Sequence, residues 1–464
     1  MKYKLLFYCV VAIMPTIWGS VRADTISQIL SRSAQKSAEF AILAVRAEDG
    51  KVLYSRNADK PMIPASNMKL VSTAAALHYL GPDYVFRTHI ALLGDSLVVI
   101  GGGDPLLGDT ITDQRYGREP GWVCQEIVGV LKARGIERIE DIVIDSYFFD
   151  SNRVHPSWPA DQLNQWYACE VSGLNYNLNC VRITATRQNG RAVLKMEPDN
   201  DYLTLINQLR FVSSGNSAIG GYRTTTPNRL SIRGNLNQSA GFDVAIEHPE
   251  GLFANLLVRS LRSAGITVRG NLVKKYIRRE DQLTVLHTFS TSIWDVLDRC
   301  NKDSLGLAAE CLVKTISAEN TQGRINGEWP HGRMLVGRYL NLLGVDSEQF
   351  VLDDGSGLSR KNRLSCNVLV AVLDDLMQKP YAERYIATLA EGGNDGTIAR
   401  YFQQAPYRGN IYGKTGYIAG VRTFSGVCRT AEGDVVFSIL TQGGNATTRQ
   451  AINDITKAIF DGTF

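Results

Sequence analysis

Apolar and polar positions alternate along this chain in two distinct ways. "AILAVRAEDGKVLYS" (41–55) holds two short apolar runs about Asp49-Gly50, the pattern of a β-hairpin. After a polar loop, "PASNMKLVSTAAAL" (64–77) predicts a helix opening at Ser66 and stopping at Gly81-Pro82. "THIALLGDSLVVIGGGDP" (88–105) predicts a second hairpin about Gly94-Asp95, and "GWVCQEIVGVLKARGIERIEDIVIDSYFF" (121–149) a helix, a turn and a strand. From about 170 to 290 short strand-like runs predominate, among them "NCVRITATR", "RAVLKM" and "GITVRGNLV". Helical periodicity returns in "SIWDVLDRC" (292–300), "LGLAAECLVKTIS" (305–317), "GRMLVGRYLNLLG" and "NVLVAVLDDLMQ". Strands follow at "NIYGKTGYI", "VRTFSGVCR" and "DVVFSILTQ", and then a helix at "TRQAINDITKAIF". The two ends are alike in kind, strands with helices, and residues 87–287 between them read as an insertion.

The length of 464 residues suits two to three domains. The chain starts "MKYKLLFYCVVAIMPTIWGSVRA": two lysines, an apolar stretch, then Val21-Arg22-Ala23. That is the layout of a secretory leader, residues 1–23, cut after about Ala23. No other run approaches the roughly 20 apolar residues of a membrane helix, so no transmembrane anchor is expected. Losing Lys2, Lys4 and Arg22 takes the formal charge from +4 to +1, which gives no argument for nucleic acid. Of eight cysteines Cys9 leaves with the leader, and of the rest Cys169 and Cys180 are the closest plausible disulfide pair. The six histidines are scattered without ligand spacing, and no nucleotide-binding fingerprint occurs, so no metal or cofactor is implied.

The candidate chemistry lies at three places. Ser66 and Lys69 stand at i and i+3, so on one helical face the lysine amine can reach the serine hydroxyl. A lysine with a lowered pKa can take the serine proton and generate a nucleophile, provided burial or other cations shift it. The competing reading of Ser66 is a plain helix N-cap. Ser33-Ala34-Gln35-Lys36 has the same spacing but lies in a polar stretch without a helix opening. Second, Lys414-Thr415-Gly416, followed by Tyr417, interrupts a strand pattern. There Gly416 would let a ligand approach the backbone, and Lys414 and Thr415 would hold an anion. Third, Ser304 occupies the turn between two helices.

Ser-x-x-Lys, an interhelical Ser and Lys-Thr-Gly in this order are the set found in penicillin-binding proteins and β-lactamases. With "GGGDPLL" (101–107), "SWPADQL" (157–163), "NKDS" (301–304), "DGSGLSRKNRLS" (354–365) and "GGNDGT" (392–397), the chain resembles the D-alanyl-D-alanine carboxypeptidase/endopeptidase family. These are the class C low-molecular-mass penicillin-binding proteins. The resemblance implies an α/β (α+β) transpeptidase- or β-lactamase-like serine hydrolase domain, an antiparallel sheet with helices on both faces. That domain, 24–86 and 288–464, would be split by an inserted region, 87–287, of one or two mainly β subdomains.

It also implies a periplasmic or secreted serine DD-peptidase acting on peptidoglycan stem peptides and acylated by β-lactams at Ser66. Lys69 would be the base and Ser304 a proton relay. Lys414 and Thr415 would bind the terminal carboxylate, and the N–H groups of Ser66 and Tyr417 would form the oxyanion hole. The sequence departs from the family in one central place. The second motif is Ser-x-Asn in the family, but here it reads Ser304-Leu305-Gly306, so the carboxamide is missing. Slow acylation, or a homologue that binds without turnover, is the corresponding expectation. In "SWPADQL" the acid that family members carry near this point falls at Asp161 or Gln162 and receives no role.

Overall fold

The structure, a computed structural model, describes residues 25–278, 280–322 and 324–464. The leader expected at 1–23 lies outside them. Glu39–Arg46 (β1) and Val52–Arg56 (β2) form the first hairpin, with Gly50 at φ +68° in its turn. Ala390–Glu391 (β3), Ile411–Ile418 (β4), Val421–Thr430 (β5) and Gly433–Gln442 (β6) complete a six-stranded sheet. Its order is β3-β4-β5-β6-β1-β2 and every pairing is antiparallel.

Alternation along β1 explains why the sheet is covered twice. Ala41, Leu43 and Val45 enter one core, Ile42 and Ala44 the other. The first core packs under helices Met68–Leu80 (α1), Ile293–Lys302 (α2), Gly306–Glu319 (α3), Trp329–Leu342 (α4) and Cys366–Met377 (α5). The second packs under Thr448–Phe460 (α6), through Ile452, Ile455 and Ile459. Helices therefore flank an antiparallel sheet on both faces. Helix α1 is central: every residue from Met68 to Leu77 is buried. Small side chains let its neighbours approach. Its two buried hydroxyls are satisfied at once, Ser72 Oγ by the Gly355 carbonyl at 2.7 Å and Thr73 Oγ1 by the Lys69 carbonyl at 2.8 Å.

Among the described residues, 87–287 supply no strand to this sheet. A second, five-stranded sheet joins Val85–Leu93, Ser96–Ile100, Ile142–Asp145, Leu272–Lys274 and Thr284–Ser292. It packs against helices Trp122–Ala133 and Pro249–Ser263 around Val99, Ile127, Phe253 and Leu257. Two three-stranded sheets between residues 180 and 245 enclose a small third core, Val181, Ile183, Leu230, Ile232 and Val244. The expected boundaries 86/87 and 287/288 fall inside Val85–Leu93 and Thr284–Ser292, and these two strands pair with each other from Val85–Ser292 to Leu92–Thr284. One ladder cannot be divided, so both strands belong over their whole length to the five-stranded sheet.

All seven described cysteines are free and buried. Cys169 and Cys180, the expected disulfide pair, are neighbours and both are free thiols. No helix among the described residues is long and apolar enough to cross a membrane.

Candidate active site

Ser66 lies in a single 3₁₀ turn, Ala65–Asn67, that runs straight into α1. It is not an N-cap: Asn67 holds that position and no side chain caps the helix. The Lys69 Nζ donates to Ser66 Oγ at 3.1 Å and to the Ser356 carbonyl at 2.8 Å. Lys69 is buried, and burial lowers its pKa against the opposing pull of Cys300, Glu310 and Asp354. The i, i+3 reading therefore meets its condition of desolvation. Ser33, by contrast, belongs to a separate short 3₁₀ turn, Ser33–Gln35, just after the helix Ile26–Ser31.

The Ser66 turn is held from two sides. On the strand side, Asn67 Nδ2 donates to the Lys414 carbonyl at 3.1 Å, and Thr423 Oγ1 donates to the Pro64 carbonyl at 2.9 Å and to Asn67 Oδ1. A Cβ on Gly416 would lie 3.0 Å from Ser66 N and 2.1 Å from Thr423 Oγ1, so only glycine lets β4 approach this closely. On the other side is the loop Asp354–Ser359. Asp354 accepts from Gly357 N, Ser359 N, Trp158 Nε1 and Asn362 Nδ2 at 2.6–2.8 Å, which folds the loop around its own carboxylate. Glu310 of α3 accepts from Gly355 N, Ser356 N and Trp329 Nε1 at 2.8–2.9 Å and so fixes the carbonyl that holds Lys69. Burial, then repulsion from Asp354, pushes the Glu310 carboxyl up to about 7.

Ser66 opens on a cleft of about 590 Å³. The structure brings Ser66, Lys69, Ser304, Thr415 and Tyr417 to its walls, together with Gly306. Ser304 sits in the turn between α2 and α3 at φ +61°, a conformation uncommon outside glycine. Lys414 and Gly416 do not line the cleft. Lys414 is fully buried under the strand, its amine donates to the Thr415 carbonyl at 2.9 Å, and burial and then Lys69 hold it well below its ordinary range. The direct contact expected between Lys414 and an anion is thus not the geometry found: the charge lies beneath the floor, while the Thr415 hydroxyl lies on it. That hydroxyl donates to Thr397 Oγ1 at 2.8 Å. Tyr417 is exposed, with Arg422 stacked 3.7 Å over its ring.

Sequence reasoning gave no role to Ser356, Glu310, Thr397 or the inserted region's Gln162, Trp166 and Tyr167. Ser356 and Thr397 fall within motif stretches noted for resemblance alone, "DGSGLSRKNRLS" and "GGNDGT". Trp166 and Tyr167 carried no signal. Of the two candidates in "SWPADQL", Gln162 lines the cleft and Asp161 does not.

A buried lysine bonded to a half-buried serine thus stands at the mouth of a cleft, on an antiparallel sheet with helices on both faces. The profile of the D-Ala-D-Ala carboxypeptidase 3 (S13) family matches residues 22–461, and the chain belongs to that family. It is 29% identical to a D-alanyl-D-alanine carboxypeptidase of an Actinomadura species, over 93% of this chain and 82% of that one. It is 24% identical to the D-alanyl-D-alanine carboxypeptidase DacB of Haemophilus influenzae, over 88% and 86%. The crystal structure of penicillin binding protein 4 from H. influenzae has the same fold, with a TM-score of 0.80 at 20% identity, over 95% of this chain and 99% of that one. A predatory peptidoglycan endopeptidase from Bdellovibrio bacteriovorus is more distant, with a TM-score of 0.52 at 16% identity, over 91% and 92%.

Two expectations follow from this geometry. Gly357 has φ +80°, and a Cβ there would lie 1.8 Å from the Ala65 carbonyl. Gly357→Ala should therefore cost about 2 kcal/mol or more in urea unfolding, since overpacking alone costs ~1–3 kcal/mol. It should also slow penicillin labelling, because Ala65 precedes Ser66; unchanged stability and labelling would show that the loop yields. Glu310 binds its proton more tightly folded (about 7) than unfolded (about 4.5). Its contribution to stability is complete below the unfolded value and is lost as pH rises through about 7. The Tm should fall over that window, and Glu310→Gln should remove this part of the slope. Equal slopes in both proteins would mean that Glu310 is already ionised in the fold.

Proposed function

We propose that this protein is an exported serine DD-peptidase of peptidoglycan, acting through an acyl-enzyme on Ser66. The reading rests chiefly on the 3.1 Å contact between the buried Lys69 amine and Ser66 Oγ, in a chain of the S13 family. Ser66 Oγ attacks the carbonyl of the penultimate D-alanine as Lys69 takes its proton. The C–N bond breaks, and the proton passes by way of Ser304 to the leaving amine. The backbone N–H groups of Ser66 and Tyr417 receive the oxyanion; donors of this kind are worth 10²–10³ in rate. Thr415 binds the terminal carboxylate, with the buried Lys414 amine held beneath it through the Thr415 carbonyl. Water then hydrolyses the ester and restores Ser66. Cleavage of D-Ala cross-links, an endopeptidase activity, uses the same steps with a longer leaving group.

Within this reading the expected bounds, 24–86 with 288–464 and 87–287, move to the ends of the paired strands: the catalytic domain is 24–84 and 293–464, and 85–292 are the insertion. Export, to the periplasm or outside the cell, is supported by the leader-like residues 1–23. A second reading, a homologue that binds muropeptide with little turnover, is favoured by Gly306 on the cleft wall.

Labelling with a fluorescent penicillin tests the nucleophile: Ser66→Ala should abolish it and leave the Tm unchanged, whereas loss in Ser33→Ala instead would reject the assignment. Gly306→Asn separates the two functional readings. A Cβ there comes to 3.0 Å from the Tyr167 carbonyl, so that carbonyl must give by a few tenths of an ångström. Backbone φ at this position is not in the left-handed region. The carboxamide is then expected to speed acylation severalfold with little change in Tm. If stability holds and acylation stays as it was, the missing carboxamide is not what limits the protein.

A further inference from the structure

A second cleft, of about 900 Å³, lies where both inserted parts meet α2. Trp166 and Asp303 belong to its walls and to those of the Ser66 cleft, so the two spaces adjoin. Their common border is rigidly held. Arg299, itself buried, donates from Nε to Asp109 Oδ2 at 2.7 Å and from Nη2 to Asp109 Oδ1 at 3.1 Å, and from Nη1 to Asp303. One guanidinium thus ties the inserted region to the residue next to Ser304.

The lining has the chemistry of a peptide site. Trp166 and Ile111 leave 41% and 45% of their surface in water, apolar area that a ligand would cover. Both signs of charge stand beside them: Arg182 and Asp243 form an ion pair at 3.2 Å with about half of each side chain exposed, and Glu197 is exposed nearby. Such surface pairs contribute ~0–1 kcal/mol, so a ligand's own charges can replace either partner at small cost. A single small-ligand site measures about 300–1,000 Å³. One stem-peptide end therefore needs only the first cleft, and the second is in addition to it.

Building on the DD-peptidase reading, we infer that the second cleft is the subsite for the second stem peptide of a cross-linked peptidoglycan. Such a peptide carries carboxylates and an amine on an extended backbone, which matches the mixed charges around Arg182. Its continuity with the Ser66 cleft lets a single cross-linked molecule lie in both. The protein accordingly discriminates cross-linked from monomeric peptides through binding outside the reacting centre.

The experiment measures binding by calorimetry in a Ser66→Ala background, which prevents turnover. The two ligands are a purified cross-linked muropeptide dimer and the monomeric pentapeptide muropeptide. The dimer is expected to bind about tenfold more tightly. Arg182→Glu and, separately, Ile111→Glu, both at exposed positions, should bring the dimer down to the affinity of the monomer, leaving the monomer and the Tm unchanged. With Ser66 present, neither variant should alter penicillin labelling. Equal binding of dimer and monomer, a dimer preference that survives both variants, or equal weakening of both ligands would each overturn the second cleft while leaving the catalytic reading in place. Absence of binding by both ligands, together with absence of penicillin labelling at Ser66, would overturn the catalytic reading and this inference with it.

Discussion

The burial of one amine, that of Lys69, between a serine hydroxyl and a backbone carbonyl sets the requirements for much of this molecule. An amine out of water must find partners, and burial without them is costly. Here the partners are Ser66 Oγ, one helical turn away, and the Ser356 carbonyl, far along the chain. The first is supplied by α1 itself. The second needs a loop pressed against α1, and this explains the small residues on that helix and the grip of Ser72 on the Gly355 carbonyl. It also explains Glu310, a carboxylate without water whose task is to orient two backbone N–H groups.

Backbone approaching backbone is the second theme around Ser66. Gly416 and Gly357 flank the turn from opposite sides, and at either a single methyl would meet a carbonyl or an amide. The insertion takes part in the same packing. Trp158 donates to Asp354 and so helps fold the loop behind Lys69, and the Tyr167 carbonyl lies against Gly306 on the cleft wall. The inserted region has cores of its own, yet the cleft is incomplete without it.

Gly306 takes on a different meaning in this setting. The carboxamide expected there would have held the lysine amine, but Lys69 already has an acceptor in the Ser356 carbonyl. Its orientation therefore does not depend on residue 306. What the glycine leaves open is the wall of the cleft.

The sequence alone determined the local features. Asp49-Gly50 marked the first hairpin, and the runs "NIYGKTGYI", "VRTFSGVCR" and "DVVFSILTQ" marked the late strands. Ser66 and Lys69 could be paired because i and i+3 meet by helical geometry whatever surrounds them. Position in a strand did not reveal that Lys414 lies beneath the floor of the cleft while Thr415 lies on it, because that depends on which face the sheet turns toward α1. Nor could the chain disclose Ser356 as a partner of Lys69: the acceptor is a main-chain carbonyl, which every residue type has. The same holds for Trp166 and Tyr167, which reach the cleft only because a segment distant in sequence from Ser66 packs there, and for Cys169 and Cys180, which are brought together as thiols. Local spacing is fixed by covalent geometry and can be read from the chain. Which distant backbones touch is decided by the packing of whole elements, and only the tertiary structure decides it.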